Sequence, residues 1–205
     1  MDKSDFVSEI ELFYNHLLRE KSDYLSLFSK LQIQIEGWFR GELMHYINNN
    51  RDKTQIQELT TNSREVPVHD KSRRKVDLRI ETNNEMYWIE LKHILIGKQK
   101  ANGFRLKDYF SEGTYIANDI KKLGCIKSDP KKIQHKFCLV FLSTNGWGKD
   151  SGGKDPNSKN EVDTLREQIQ ENLNKYNAKN KIRNGPDYVF NYSKGCNFGY
   201  FLFEV

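Results

Sequence analysis

Residues 75–93 read KVDLRIETNNEMYWIELKH. Two runs of β-type residues, Val76–Thr82 and Met86–Ile94, flank the polar tetrad Thr82-Asn83-Asn84-Glu85. Val, Ile, Tyr and Trp suit a pleated surface, and Asn accepts the positive φ that a tight hairpin turn demands. Centring the turn between Asn83 and Asn84 sets the register. Ile80 falls opposite Tyr87, Leu78 opposite Ile89, Asp77 opposite Glu90 and Lys75 opposite Lys92. One face then carries Val76, Leu78, Ile80, Ile89 and Leu91 as a core-facing set. Lys92, two residues beyond Glu90, shares the face of Glu90.

Directly opposed carboxylates repel and destabilise a sheet. A divalent cation between Asp77 and Glu90 removes that cost and turns the pair into a binding site. Hard oxygen ligands favour Mg²⁺ or Mn²⁺. The Lys92 ammonium beside such an ion orients or helps deprotonate a water, or offsets developing negative charge. In outline this is phosphodiester hydrolysis. No other Glu of the chain has Lys two residues later.

Upstream, residues 31–46 projected at 100° per residue place Leu31, Ile35, Trp38 and Phe39 on one apolar stripe. Glu42 falls within that stripe, and a carboxylate so placed needs a partner. Glu36 lies off it.

Asp77 and Glu90-Leu91-Lys92 resemble the motif of the PD-(D/E)xK nuclease superfamily, an Asp on one strand and Glu-x-Lys on the next. Val76 stands where the conventional Pro precedes the Asp. The resemblance implies an αβββαβ core, which the expected order of elements matches over residues 31–143. It implies a mixed sheet flanked by helices, the restriction endonuclease-like fold. It further implies Asp77 and Glu90 as ligands of Mg²⁺ or Mn²⁺, the Leu91 main-chain carbonyl as an extra ligand, and Lys92 as the residue that positions the attacking water. The helix before the sheet often supplies another acid in this superfamily. Glu42 is the position carried over to that role, as catalytic and metal-binding residue, and Glu36 is the second choice.

The 205 residues suit one domain, with residues 1–30 a helical extension, 144–162 a flexible loop and 163–205 a helix and hairpin. The net charge of +5 suits a polyanion partner. Cys125, Cys138 and Cys196 are odd in number, far apart and without a CxxC pair. They read as reduced thiols, not as a disulfide frame or a zinc site. Neither a signal-type apolar stretch nor an 18-residue apolar run occurs, so a cytoplasmic location is expected.

In chain order, residues 3–20 form an amphipathic helix, and a second helical region runs from Ser22 or Asp23 to about Asn49, weakened at Gly37 and Gly41. Residues 64–69 make a short strand in which Pro67 favours an edge. Arg73, Arg74 and Lys75 lie in a charged turn beside the hairpin, and Lys98, Lys100, Arg105 and Lys107 in a basic segment behind it. These are the candidate phosphate contacts. A helix is expected at 111–123 and a central strand at 136–143. Trp147 is a stacking candidate within the loop, and a further helix is expected at 164–179. Two strands, 188–192 and 198–205, close the chain.

The leading functional reading is a Mg²⁺-dependent endonuclease acting on nucleic acid, on DNA ahead of RNA, in restriction, phage defence or repair. Duplex cleavage would favour a symmetric homodimer. The alternatives are a nucleic-acid-binding module without catalysis, a nuclease toxin acting on RNA, and a protein-interaction domain whose hairpin charges are surface salt bridges.

Overall fold

A computed structural model describes the chain at residues 3–31, 33–50, 58–59, 66–67, 75–96, 115–144, 167, 170–171, 174, 188–193 and 196–205. Three helices come first: α1 (Lys3–Glu20), α2 (Ser22–Leu31) and α3 (Glu36–Asn49). Strands β1 (Glu58–Leu59), β2 (Val66–Pro67), β3 (Lys75–Val76), β4 (Leu78–Glu81) and β5 (Glu85–Ile96) follow. Then come α4 (Tyr115–Gly124), β6 (Ile133–Thr144), β7 (Tyr188–Ser193) and β8 (Phe198–Glu204). A six-stranded mixed sheet has the order β1-β4-β5-β6-β8-β7, and β2 pairs with β3 in a separate two-stranded sheet. Among the described residues the one parallel pair is β5–β6, whose connection contains α4.

The sheet is covered on both faces, so its central strands are apolar on both sides. In β6, Phe137, Leu139 and Phe141 pack with α1–α3, while Cys138, Val140 and Leu142 pack with α4. This explains the continuous apolar run read in the sequence. Strand β8 divides likewise, with Phe198, Tyr200 and Leu202 on the first side and Phe201 and Phe203 on the second. The turn before β8 uses Asn197 at φ 51°, the left-handed region that Asn tolerates. A Cβ on Gly199 would lie 2.5 Å from the Asn191 carbonyl oxygen, so β7 and β8 approach closely only because this residue is glycine.

The hairpin register holds for Leu78 with Ile89 and for Ile80 with Tyr87. Three details differ. The 82–85 turn contains no residue with positive φ; instead the Thr82 hydroxyl accepts the Glu85 N–H at 3.2 Å. The chain bends at Asp77, so β3 pairs with β2 and Lys75 lies opposite Pro67, not Lys92. The same bend moves Val76 out of the Leu78–Ile80 set and into the cluster under α4. An unbroken strand would have set Asp77 directly against Glu90, a pairing that costs energy.

The second helical region breaks at residues 33–35, ahead of both glycines, and α3 runs through Gly37 and Gly41. Neither glycine faces a neighbour that a Cβ would strike. The break lets Ile35 enter the core and gives α3 its own axis. Phe39 anchors α3, its ring stacked on Phe141 at 3.9 Å and Phe198 at 5.0 Å. The buried line of α3 is Phe39, Leu43 and Ile47, which leaves Glu42 beside the stripe. Strand β1 was not foreseen in the polar stretch before residue 64. The three cysteines are free thiols. No helix among the described residues is long and apolar enough to cross a membrane.

Candidate active site

Strand β5 continues beyond the start of β4, and the last ladder pair between them is Leu78 with Ile89. Asp77 stands where the two strands part. Its Oδ2 accepts the Leu91 N–H at 2.8 Å, and its Oδ1 accepts from Arg40 Nη1 at 2.9 Å. The first bond satisfies a strand amide that β4 no longer reaches. The second ties α3 to the fork. Glu36 and Arg40 are four residues apart and so share one face of α3. Arg40 meets Asp77, and Glu36 Oε2 lies 3.5 Å from Lys92 Nζ.

Glu90 and Lys92 lie on the α4 side of β5. Glu90 is 1% exposed. Its Oε2 pairs with Lys122 Nζ at 2.6 Å, and its Oε1 has no hydrogen-bond partner. Burial, reinforced by the Asp77 charge and only partly offset by Lys122, pushes the Glu90 carboxyl up to about 9. Lys92 Nζ lies 3.2 Å from Asp119 Oδ2. Burial of Lys92 opposes its charge, but Asp119 and Glu36 outweigh that and hold the ammonium above the ordinary lysine range. Asp119 is itself raised by burial, against the pull of Lys92 and Lys122. Behind Glu90 on the neighbouring strand, Cys138 is fully buried, and desolvation followed by the Asp119 and Glu90 charges keeps its thiol protonated.

Asp77, Glu90 and Lys92 are near enough for their charges to interact. Glu42 is placed otherwise: its Oε1 faces Lys21 at 3.6 Å, on the far side of the Phe39 line. Glu36, the second choice, is the α3 carboxylate beside Lys92. Basic side chains from the helices meet both strand acids, Arg40 at Asp77 and Lys122 at Glu90. Arg73, Arg74, Lys98, Lys100, Arg105, Lys107 and Trp147 lie outside the described residues, as does the Lys75 side chain. Among the described residues, no three His, Cys, Asp or Glu side chains are grouped to hold a metal ion.

Three residues here were missed in the sequence: Arg40, Asp119 and Lys122. For Asp119 a signal existed. It lies within the buried stripe Ile116, Ile120 and Leu123 of α4, and a carboxylate in such a stripe needs a partner. Comparison with protein-family models, with curated proteins and with solved structures gives no match to this chain.

Proposed function

We propose that this protein is a metal-dependent nuclease of the PD-(D/E)xK kind, built on the αβββαβ core, that hydrolyses phosphodiester bonds in nucleic acid, DNA ahead of RNA. The observation that carries the reading is the fork. Asp77, Glu90 and Lys92 converge where β4 and β5 part, and Glu90 keeps one buried oxygen without a partner. In the six-stranded sheet the order α3, β1, β4, β5, α4, β6 supports such a core, with β1 taking the place of the strand expected at 64–69, which lies in the two-stranded sheet.

The donors suit a small hard cation. Mg²⁺ is commonly held by one or two carboxylates together with water and substrate phosphate, without a closed protein cage. Asp77 and Glu90 would hold it. The N–H and C=O of a strand residue point to the same neighbour. The Leu91 carbonyl is therefore directed, like its N–H, toward Asp77. A bound divalent ion supplies Lewis-acid polarisation of the scissile phosphate. Lys92, flanked by Asp119 and Glu36, serves as an ammonium: it would donate to the oxygen of the attacking water or to the phosphoryl oxygens on which charge builds. Its role is positioning and charge stabilisation, not proton abstraction. Glu36 replaces Glu42 as the helix carboxylate. The basic residues of 73–75 and 98–107 are proposed to track the backbone of the substrate.

A second reading, a nucleic-acid-binding module without catalysis, draws on the ion pairs. Arg40 already pairs with Asp77, and Lys122 Nζ already occupies Glu90 Oε2. The test is cleavage of a panel of DNA and RNA substrates with and without Mg²⁺ or Mn²⁺, beside thermal melting with the same ions and Ca²⁺. Metal-dependent cleavage supports the nuclease. Absence of cleavage with no metal-induced gain in melting temperature supports the module.

A further inference from the structure

Lys92 does not pair with Glu90, its neighbour two residues along the same face of β5. The Glu90 carboxylate goes to Lys122, and Lys92 goes to Asp119 and Glu36. Residues i and i+2 on a strand are about 6.5–7 Å apart, which a lysine side chain spans easily. The Lys92 ammonium is instead held by groups on the two helices.

Two carboxylates are placed to do so. The Glu36 contact is the longer, 3.5 Å, and its side chain is 34% exposed. The Asp119 contact is 3.2 Å, and its side chain is 12% exposed. Asp119 is also fixed from behind. Ile116, Ile120 and Leu123 seat α4 against the sheet. The other Asp119 oxygen lies 3.8 Å from Lys122, the lysine that holds Glu90. The contacts run from Lys92 to Asp119 to Lys122 to Glu90, and Asp119 is the negative link between the two lysines.

We propose that Asp119 is the positioning residue for Lys92: by holding the ammonium it keeps Lys92 off Glu90 and at the mouth of the fork. This rests on the nuclease reading for its effect on rate, but not for the contact itself. Removal of Asp119 frees Lys92 to fold onto Glu90, which misplaces the ammonium and blocks the carboxylate. Displacement by about 1 Å is enough to cost on the order of 100-fold in rate.

The test compares wild type, Asp119→Asn, Asp119→Glu, Lys92→Ala and the Asp119→Asn/Lys92→Ala pair. In metal-free protein, the NMR signal of the Lys92 ammonium is expected to move or broaden in Asp119→Asn and to recover largely in Asp119→Glu. An unchanged Lys92 signal in Asp119→Asn overturns the proposal. In cleavage assays, kcat is expected to fall about ten- to 100-fold in Asp119→Asn with KM within about twofold. The double variant should be no slower than Lys92→Ala alone, because both changes remove one function. A double variant markedly slower than Lys92→Ala overturns the proposal. Asp119→Ser replaces the Asn variant should that fail to fold. If wild type cleaves nothing, the nuclease reading fails, and the NMR comparison still decides whether Asp119 positions Lys92.

Discussion

The Asp77 carboxylate accepts the Leu91 N–H at 2.8 Å, a side chain taking the place of a strand at the point where β4 bends away from β5. The same carboxylate holds Arg40 of α3. One residue thus closes the fork, ties a helix to it and lies beside Glu90. Its removal has consequences for the fold as well as for chemistry.

Asp77→Asn is expected to lower the stability of the metal-free protein by about 1–3 kcal/mol, since it loses a charged hydrogen bond in a mostly buried setting. From the sequence alone the opposite sign was conceivable, through relief of repulsion with Glu90. Arg40 and the Leu91 amide reverse that expectation. Urea melts give the stability change. Calorimetry with Mn²⁺ should show binding by wild type and none by the variant. Equal binding by both would remove Asp77 from the metal site.

Glu90 makes stability depend on pH. Its folded carboxyl titrates at about 9, against an ordinary value of 4.5. Between those values the folded state keeps a proton that the unfolded chain has released. Stability from this group is complete below the lower value and is lost as pH rises toward the upper one, by at most about 1.4 kcal/mol per pH unit. Glu90→Gln should flatten that decline in metal-free protein. Saturating Mn²⁺ should oppose it in wild type, because the ion favours the ionised form. Melts across neutral and alkaline pH test both points. A wild-type profile as flat as that of the variant would contradict the buried, coupled carboxyl.

His93 acts at the acid end. Its Nδ1 lies 3.3 Å from the Ile35 N and 3.0 Å from Gln34 Oε1, and its Nε2 lies 2.7 Å from Ser143 Oγ. Burial pulls the imidazole down to about 4 from 6.5. Over that interval the unfolded chain binds a proton that the folded state refuses, so stability falls as pH falls. His93→Gln is expected to remove this acid slope and to lower stability at neutral pH by about 1–2 kcal/mol through the lost hydrogen bonds. Melts from neutral to about pH 4 read both effects.

Lys92→Ala should reduce turnover by about 100-fold or more while substrate affinity stays within a few-fold, since the ammonium acts on charge that develops only in the transition state. Binding is read with Ca²⁺ and cleavage with Mg²⁺. Near-normal turnover would exclude Lys92 from the reaction.

Replacing Lys98, Lys100 and Arg105 together by Ala should weaken nucleic-acid binding and flatten its salt dependence by about one unit per lost phosphate contact. Filter binding over a salt series measures this. An unchanged slope would show that the segment does not touch the backbone.

Local pattern determined the hairpin, the apolar centre of β6, the first helix and the closing strands. Each depends on residue spacing along a single element, and alternation or helical periodicity reports it directly. The turn register also brought Asp77 close to Glu90, but the bend that takes Asp77 out of the ladder was not legible in it. The partners of Asp77, Glu90 and Lys92 were not legible either. Arg40, Asp119 and Lys122 stand on helices that reach the fork only after α3 and α4 pack on opposite sides of the sheet. The choice of Glu36 over Glu42 depended on the break at 33–35, which sets the rotation of α3 about Phe39. Whether a charged side chain meets its counterion is decided by distances between elements. Those distances come from how the Phe39 and Ile120 faces seat against the strands, and spacing within one element carries no record of them.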